Sequence, residues 1–150
     1  MKNTLKYSQL YLRLALGVGF LLPVADRLGW LGPVGQFNVS WGNWSNFVNY
    51  TNVLVPYMNH SGANIMAILA TIAEVIFGLQ FLVGYLTRVA AVGSFLLTLI
   101  FALSMAFFMG IKAPFSYSVF TDSAGSLLLA TITTFNWSVD YYLNKKQGEI

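Results

Sequence analysis

Few residues in this chain could do chemistry. It holds eight Lys and Arg, five Asp and Glu, one His and no Cys among 150 residues. Without Cys there is no disulfide, thiolate nucleophile, iron–sulfur ligand or zinc–thiolate site within the chain. The single histidine, His60, excludes a bis-histidine haem built from one copy, and no metal site is expected. What remains are ionisable residues inside or beside long apolar runs. A charge at the middle of a membrane helix costs about 2.5–3.5 kcal/mol on insertion scales, so such residues turn inward and find partners. Glu74 stands near the middle of one run, Arg13 in the first half of another, and Arg88 at the start of a third. A buried Arg13–Glu74 pair with Arg88 beside it is the expected polar core. Its functional reading is headgroup binding or proton transfer; its structural reading is an ion pair that fixes helix register. Snorkelling alone would explain Arg88.

A second group collects where the runs end on the opposite side: Asp26, Arg27, His60, Lys112 and Asp122. Lys112 could pair with Asp122 or Asp26, and an Asp in the first turn of a helix suits the helix dipole. His60 beside Pro56 and Tyr57 is either a solvated loop residue or a proton donor or ligand.

The elements that must position these groups follow from composition. The chain is 57% hydrophobic and 9% charged, with mean hydropathy +0.65, against about 25% charge in soluble domains. Most of its surface must therefore face lipid. Four runs reach the roughly 20 residues needed to cross a bilayer as a helix: about 8–28, 63–85, 88–109 and 119–142. No period-two alternation supports a barrel. The expected fold is all-α, an integral membrane four-helix bundle in one domain, with an additional external amphipathic helix lying in the interface. That helix is read over Ser40–Val55 with Ser40 as cap; Trp41, Trp44, Phe47, Val48, Thr51 and Val55 form its apolar face. Ser8 is a plausible cap for the first span, and Pro23 predicts a kink or early stop near its end. The first run also resembles a signal peptide, but Arg13 interrupts it and the cleavage pattern is poor.

Lys2, Lys6, Arg88, Lys145 and Lys146 fall on one side of the four spans, Arg27 and Lys112 on the other. By the positive-inside rule both termini are cytoplasmic, in a multi-pass protein of the cell inner (plasma) membrane. The pI near 9.3 comes from these scattered ends rather than from a basic patch, so nucleic acid is not an expected partner. The Asn-x-Ser/Thr triplets at Asn38, Asn43, Asn49 and Asn59 read as chance in an Asn-rich loop. Small residues recur at helical spacing, at Ala15 and Gly19, at Ala70 and Gly78, and at Ala102, Ala106 and Gly110, where they allow close helix approach.

Arg13-Leu14-Ala15-Leu16-Gly17 and Asp26-Arg27-Leu28-Gly29 frame the first span. Ala73-Glu74-Val75 with Gly78 follows in the second, then Leu86-Thr87-Arg88 after Gly84, and later Gly110-Ile111-Lys112. In order and spacing the chain resembles the DoxX family of small four-span membrane proteins over nearly its whole length. One branch of that family, DoxD, is the membrane subunit of a thiosulfate:quinone oxidoreductase that also needs a partner subunit. The resemblance implies an accessory subunit of a membrane oxidoreductase complex, with Arg13 and Glu74 in a shared polar core and a quinone as the expected ligand. No redox cofactor ligands are evident within the chain, so electrons would come from a partner or bound substrate. Membrane lipids and either a protein partner or a second copy are the expected partners. Two readings of other classes stand beside this one: a non-catalytic scaffold or assembly factor, and a small transporter or lipid-binding protein.

Overall fold

The computed structural model describes residues 2–147, with side chains described for 4–146. All of its regular elements are helices: α1 (Lys2–Arg27), α2 (Trp44–Leu54), α3 (His60–Val83), α4 (Thr87–Phe108), α5 (Lys112–Ser116), α6 (Val119–Ala130) and α7 (Val139–Gln147). Three of them, α1, α3 and α4, are long and apolar enough to cross a membrane. Their outward faces carry Leu14, Val18, Leu22, Ile65, Leu69, Ile72, Val92, Leu96 and Ile100. Hydrocarbon outside and a packed interior explain why apolar residues occupy both faces.

α1 and α3 run antiparallel and pack closely where Gly17 meets Gly78. A Cβ on either glycine would stand 3.1–3.2 Å from the other's carbonyl oxygen. Lipid gives helices no hydrophobic reason to associate, so such close backbone packing supplies the contact. Gly19, which the sequence pairs with Ala15 as a packing stripe, faces open space instead. Beside the crossing, Leu16, Phe20, Phe81, Ala90, Ala91, Leu129 and Phe135 close one core.

α3 and α4 form a hairpin through the turn at Gly84–Leu86. Gly84 ends α3 at φ +72°, with its N–H and that of Tyr85 both bonded to the Gln80 carbonyl. Leu86, also left-handed at φ 49°, precedes α4. Asp140 holds this strained corner, its two oxygens accepting the Leu86 and Thr87 N–H groups at 2.8 Å each.

The fourth apolar run does not fold as one helix over 119–142. α6 stops at Ala130 and an irregular stretch leads to α7. Twelve residues span about 18 Å, short of the roughly 30 Å hydrocarbon core. The β-branched sequence Thr131-Ile132-Thr133-Thr134 followed by Asn136 disfavours helix, and Trp137 adopts φ +54°. Irregular backbone beside lipid needs partners from protein. Three side chains provide them: Gln9 donates to Asn136 O at 3.0 Å, Arg13 to Trp137 O at 2.8 Å, and Arg88 to Ile132 O at 3.0 Å. The start of α1, the α3–α4 turn and the start of α7 thus share one end of the bundle.

Two smaller expectations also change. α1 begins at Lys2, and Ser8 lies inside it with its hydroxyl on Thr4 O; α1 runs four residues past Pro23. α2 begins at Trp44, capped by Asn43 accepting from Asn46 N, rather than at Ser40.

Candidate functional site

The central ion pair joins Glu74 to Arg27, not to Arg13. Arg27 Nη2 lies 2.6 Å from Glu74 Oε2. The guanidinium also donates from Nη1 to Thr71 Oγ1 at 2.9 Å and from Nε to Pro23 O at 3.1 Å. Thr71 in turn bonds Ala67 O. The reason for the exchange of partners is directional. With Gly17 level with Gly78, Arg13 lies near the level of Leu82, about 12 Å from that of Glu74. Side chains on a helix lean toward its N-terminus, so Arg13 reaches away from Glu74 while Arg27 reaches back toward it.

A cap closes over this pair. The apolar face of α2 does not lie on lipid; Phe47 and Val48 pack on Ala67 of α3. The Arg27 guanidinium sits 3.8 Å from the Phe47 ring centre and 5.4 Å from that of Trp41, a desolvated cation–π contact. Trp44 Nε1 donates to Asn64 Oδ1 at 2.9 Å, fastening α2 to α3. Burial, with Tyr117 nearby, pushes the Tyr50 phenol above its ordinary value. Asp26 is buried and accepts the N–H groups of Ser40, Trp41 and Gly42 at 2.8, 3.2 and 3.0 Å. Adjacent residues of α1 therefore hold the cap in two ways, Asp26 by its backbone and Arg27 by its rings.

The remaining expected residues separate. Arg13, only 1% exposed, serves the irregular stretch at the far end, and Arg88 is exposed beside Ile132. The second group does not form one cluster. His60 opens α3 with Nε2 3.2 Å from Asn49 Oδ1, and Lys112 is exposed at the start of α5. Neither Asp26 nor Asp122 pairs with Lys112; among the described residues Arg27–Glu74 is the ion pair found.

Asp122 lies in the first turn of α6, as its dipole argument requires, but at mid-height of the bundle rather than at an outer end, and it is exposed. Ser123 Oγ donates to Phe95 O and Arg88 to Ile132 O, which sets α6 antiparallel to α4 with Asp122 level with about Leu96. The α3–α4 hairpin, with Phe77 against Gly93, brings Glu74 to the same level. Both carboxyls thus stand near the midpoint of α4, on its two sides. Glu74 is 6% exposed and sealed; Asp122 opens onto a groove of about 370 Å³ between α1 and α6. Leu12, Leu16, Phe20 and Leu128 line the groove, and Ala15, Gly19, Ala124 and Gly125 leave it wide. Sequence reasoning reached Asp122 but gave it to the outer ends, because the break at Tyr117–Ser118 that starts α6 so deep leaves no clear mark in an apolar run. Ser118 has φ +57° without glycine.

Among curated proteins and solved structures, none matches this chain. The family model described as TQO small subunit DoxD matches residues 45–150, or 106 of 150. Glu74, Arg88 and Asp122 fall inside that stretch, while Arg13, Asp26 and Arg27 precede it. The chain is a helical membrane protein and belongs to the DoxD family, described as the small subunit of TQO.

Proposed function

We propose that this chain is a membrane subunit of an oxidoreductase complex, and that it presents the α1–α6 groove to a quinone or quinol diffusing in the bilayer. The observation that carries this reading is a carboxyl group, Asp122, at mid-depth of the bundle on a lipid-facing apolar groove. Ionisable residues inside membrane segments are rare and mark ligand or proton sites by default. Concave apolar sites with one or two convergent polar groups are what flat, hydrophobic ligands require. The groove fits such a ligand: Phe20 and Leu16 offer apolar walls, Gly19 and Gly125 leave space for ring or tail, and Asp122 is free to hydrogen-bond a ring oxygen or hydroxyl. A bound quinone would supply two-electron redox chemistry that no side chain here can. This chain's part is to bind the ring, orient it against Asp122 and keep water away.

Glu74 does not suit that part, because it is buried and paired with Arg27, whose guanidinium lies against Phe47 and Trp41. Its role is to anchor the cap. The end bearing Lys6, Arg88, Lys145 and Lys146 is the cytoplasmic face of an inner membrane under the positive-inside rule. A protein partner supplies the electron path, as family membership in a complex suggests.

Titration of the purified protein with a short-tailed ubiquinone analogue tests the reading. Asp122→Asn and Gly19→Leu should each weaken binding about tenfold or more, a loss of about 1.4 kcal/mol. Ile72→Leu, on the opposite lipid face of α3, should leave it unchanged. Equal affinity in all of these proteins would remove the groove from consideration. Co-purification in mild detergent then identifies the polypeptide that completes the complex.

A further inference from the structure

The chain from Leu28 to Val39 that joins α1 to the cap contains no charged residue, and the stretch extends without one from Leu28 to Ala73. The linker exposes large apolar side chains: Trp30 is 76% exposed, Phe37 92%, and Leu31 and Val34 about half. Surfaces of this kind on water are costly and mark contact sites. Depth indicates what covers them. The Gly17–Gly78 register sets Arg27 level with about Ile68, so α1 ends about eight residues, or 12 Å, short of the first residue of α3. The Trp44–Asn64 and Phe47–Ala67 contacts give the cap the same height independently. If α3 crosses the bilayer, the linker starts below the membrane surface rather than above it.

Backbone at that depth cannot rely on water for its hydrogen bonds. Asp26 answers this need. From inside the bundle its carboxylate accepts the three consecutive N–H groups of Ser40, Trp41 and Gly42, just past the end of the linker. Bonds within the linker satisfy others: Gly29 N to Asp26 O, Trp30 N to Ala25 O, Gln36 N to Pro33 O and Val39 N to Gln36 O.

We infer that the Leu28–Val39 linker is a re-entrant lipid-binding element, with Trp30, Val34 and Phe37 inserted among headgroups and upper acyl chains while Asp26 anchors from within the backbone at Ser40–Gly42 that follows it. Its occupant is the lipid surface itself. A neutral, aromatic segment fits the interfacial belt, where Trp is favoured and charge is not required. The inference does not depend on the quinone reading, since the linker lies outside the α1–α6 groove.

The native chain has no cysteine, so Phe37→Cys provides a unique attachment point for a nitroxide label. The full-length protein in phosphatidylcholine vesicles would be measured for collision with dissolved oxygen and with an aqueous nickel chelate. Ile72→Cys on the lipid face of α3 and Lys145→Cys beyond the bundle serve as references. The label at Phe37 should collide several-fold more with oxygen than with nickel, resembling Ile72. Nickel collision at the level of Lys145 would overturn the inference, and so would protection from both reagents, the mark of a protein cover. Val34→Cys gives a second position should the Phe37 variant fail to fold.

Discussion

Arg27 and Glu74 form a buried pair whose members are each expensive alone. Removing one partner leaves an uncompensated charge, a loss of about 3–5 kcal/mol in buried pairs, whereas replacing both by apolar residues is often neutral. Glu74→Ala should therefore lower the thermal midpoint in detergent sharply, and Arg27→Met with Glu74→Leu should recover most of it. A double variant as unstable as the single one would show that Arg27 acts chiefly through Phe47 and Thr71. Asp26 makes a second prediction at this scale. Asp26→Ala leaves three N–H groups without their acceptor, so a loss of about 3 kcal/mol is expected, with faster amide exchange at Ser40, Trp41 and Gly42 than elsewhere in the cap. That residues 26 and 27 carry the cap was not legible from spacing. Both read as charges at a helix end, and their partners come from a loop 14 residues on and a helix 44 residues on.

At the scale of elements, packing depends on glycines whose absence of a side chain is used. Gly78→Leu drives a branched side chain into Leu21 and the Gly17 carbonyl. Overpacking of about 1–3 kcal/mol should follow, with loss of the α1–α3 contact seen as cysteine cross-linking between the two helices becoming slower. Gly84→Ala is strained twice. A left-handed backbone costs about 1–2 kcal/mol without glycine, and the new Cβ would collide with Ser138 Cβ. Because Gly84, Asp140 and Arg13 act on the same corner, this variant should also increase proteolysis between Thr131 and Ser138. Residues of the α1–α6 groove should be unaffected. The second and third spans, α3 and α4, were legible because long apolar runs bounded by Gly84 and Thr87 admit few alternatives. The broken fourth one was not, because Thr, Ile, Phe and Trp keep a run apolar whether or not it is helical.

The whole molecule divides its ionisable groups by depth and access. One mid-depth carboxyl is sealed with a cation, the other faces a lipid-open groove, and the basic groups of the turn end hold irregular backbone. This arrangement separates the roles: substitutions at Glu74 should change stability before ligand affinity, and at Asp122 ligand affinity before stability. Parallel melting and quinone-analogue titration of Glu74→Gln and Asp122→Asn checks the separation. A common ranking in both assays would mean that the two carboxyls belong to one site.

The sequence by itself determined that this is a helical membrane protein, which residues are the costly ones, and which family it resembles. Those conclusions follow from the energy of taking charge and backbone out of water, an energy that depends on residue type and run length. Partnership was decided only in three dimensions. Whether Glu74 meets Arg13 or Arg27 depends on the register of two antiparallel helices and the direction in which side chains lean. Whether Asp122 sits at a surface or at mid-depth depends on where α6 begins. Neither register nor helix start is written in hydrophobicity, because lipid accepts any rotation or offset that keeps the apolar face outward. The glycine contacts, the Asp140 corner and the cap select one arrangement among them.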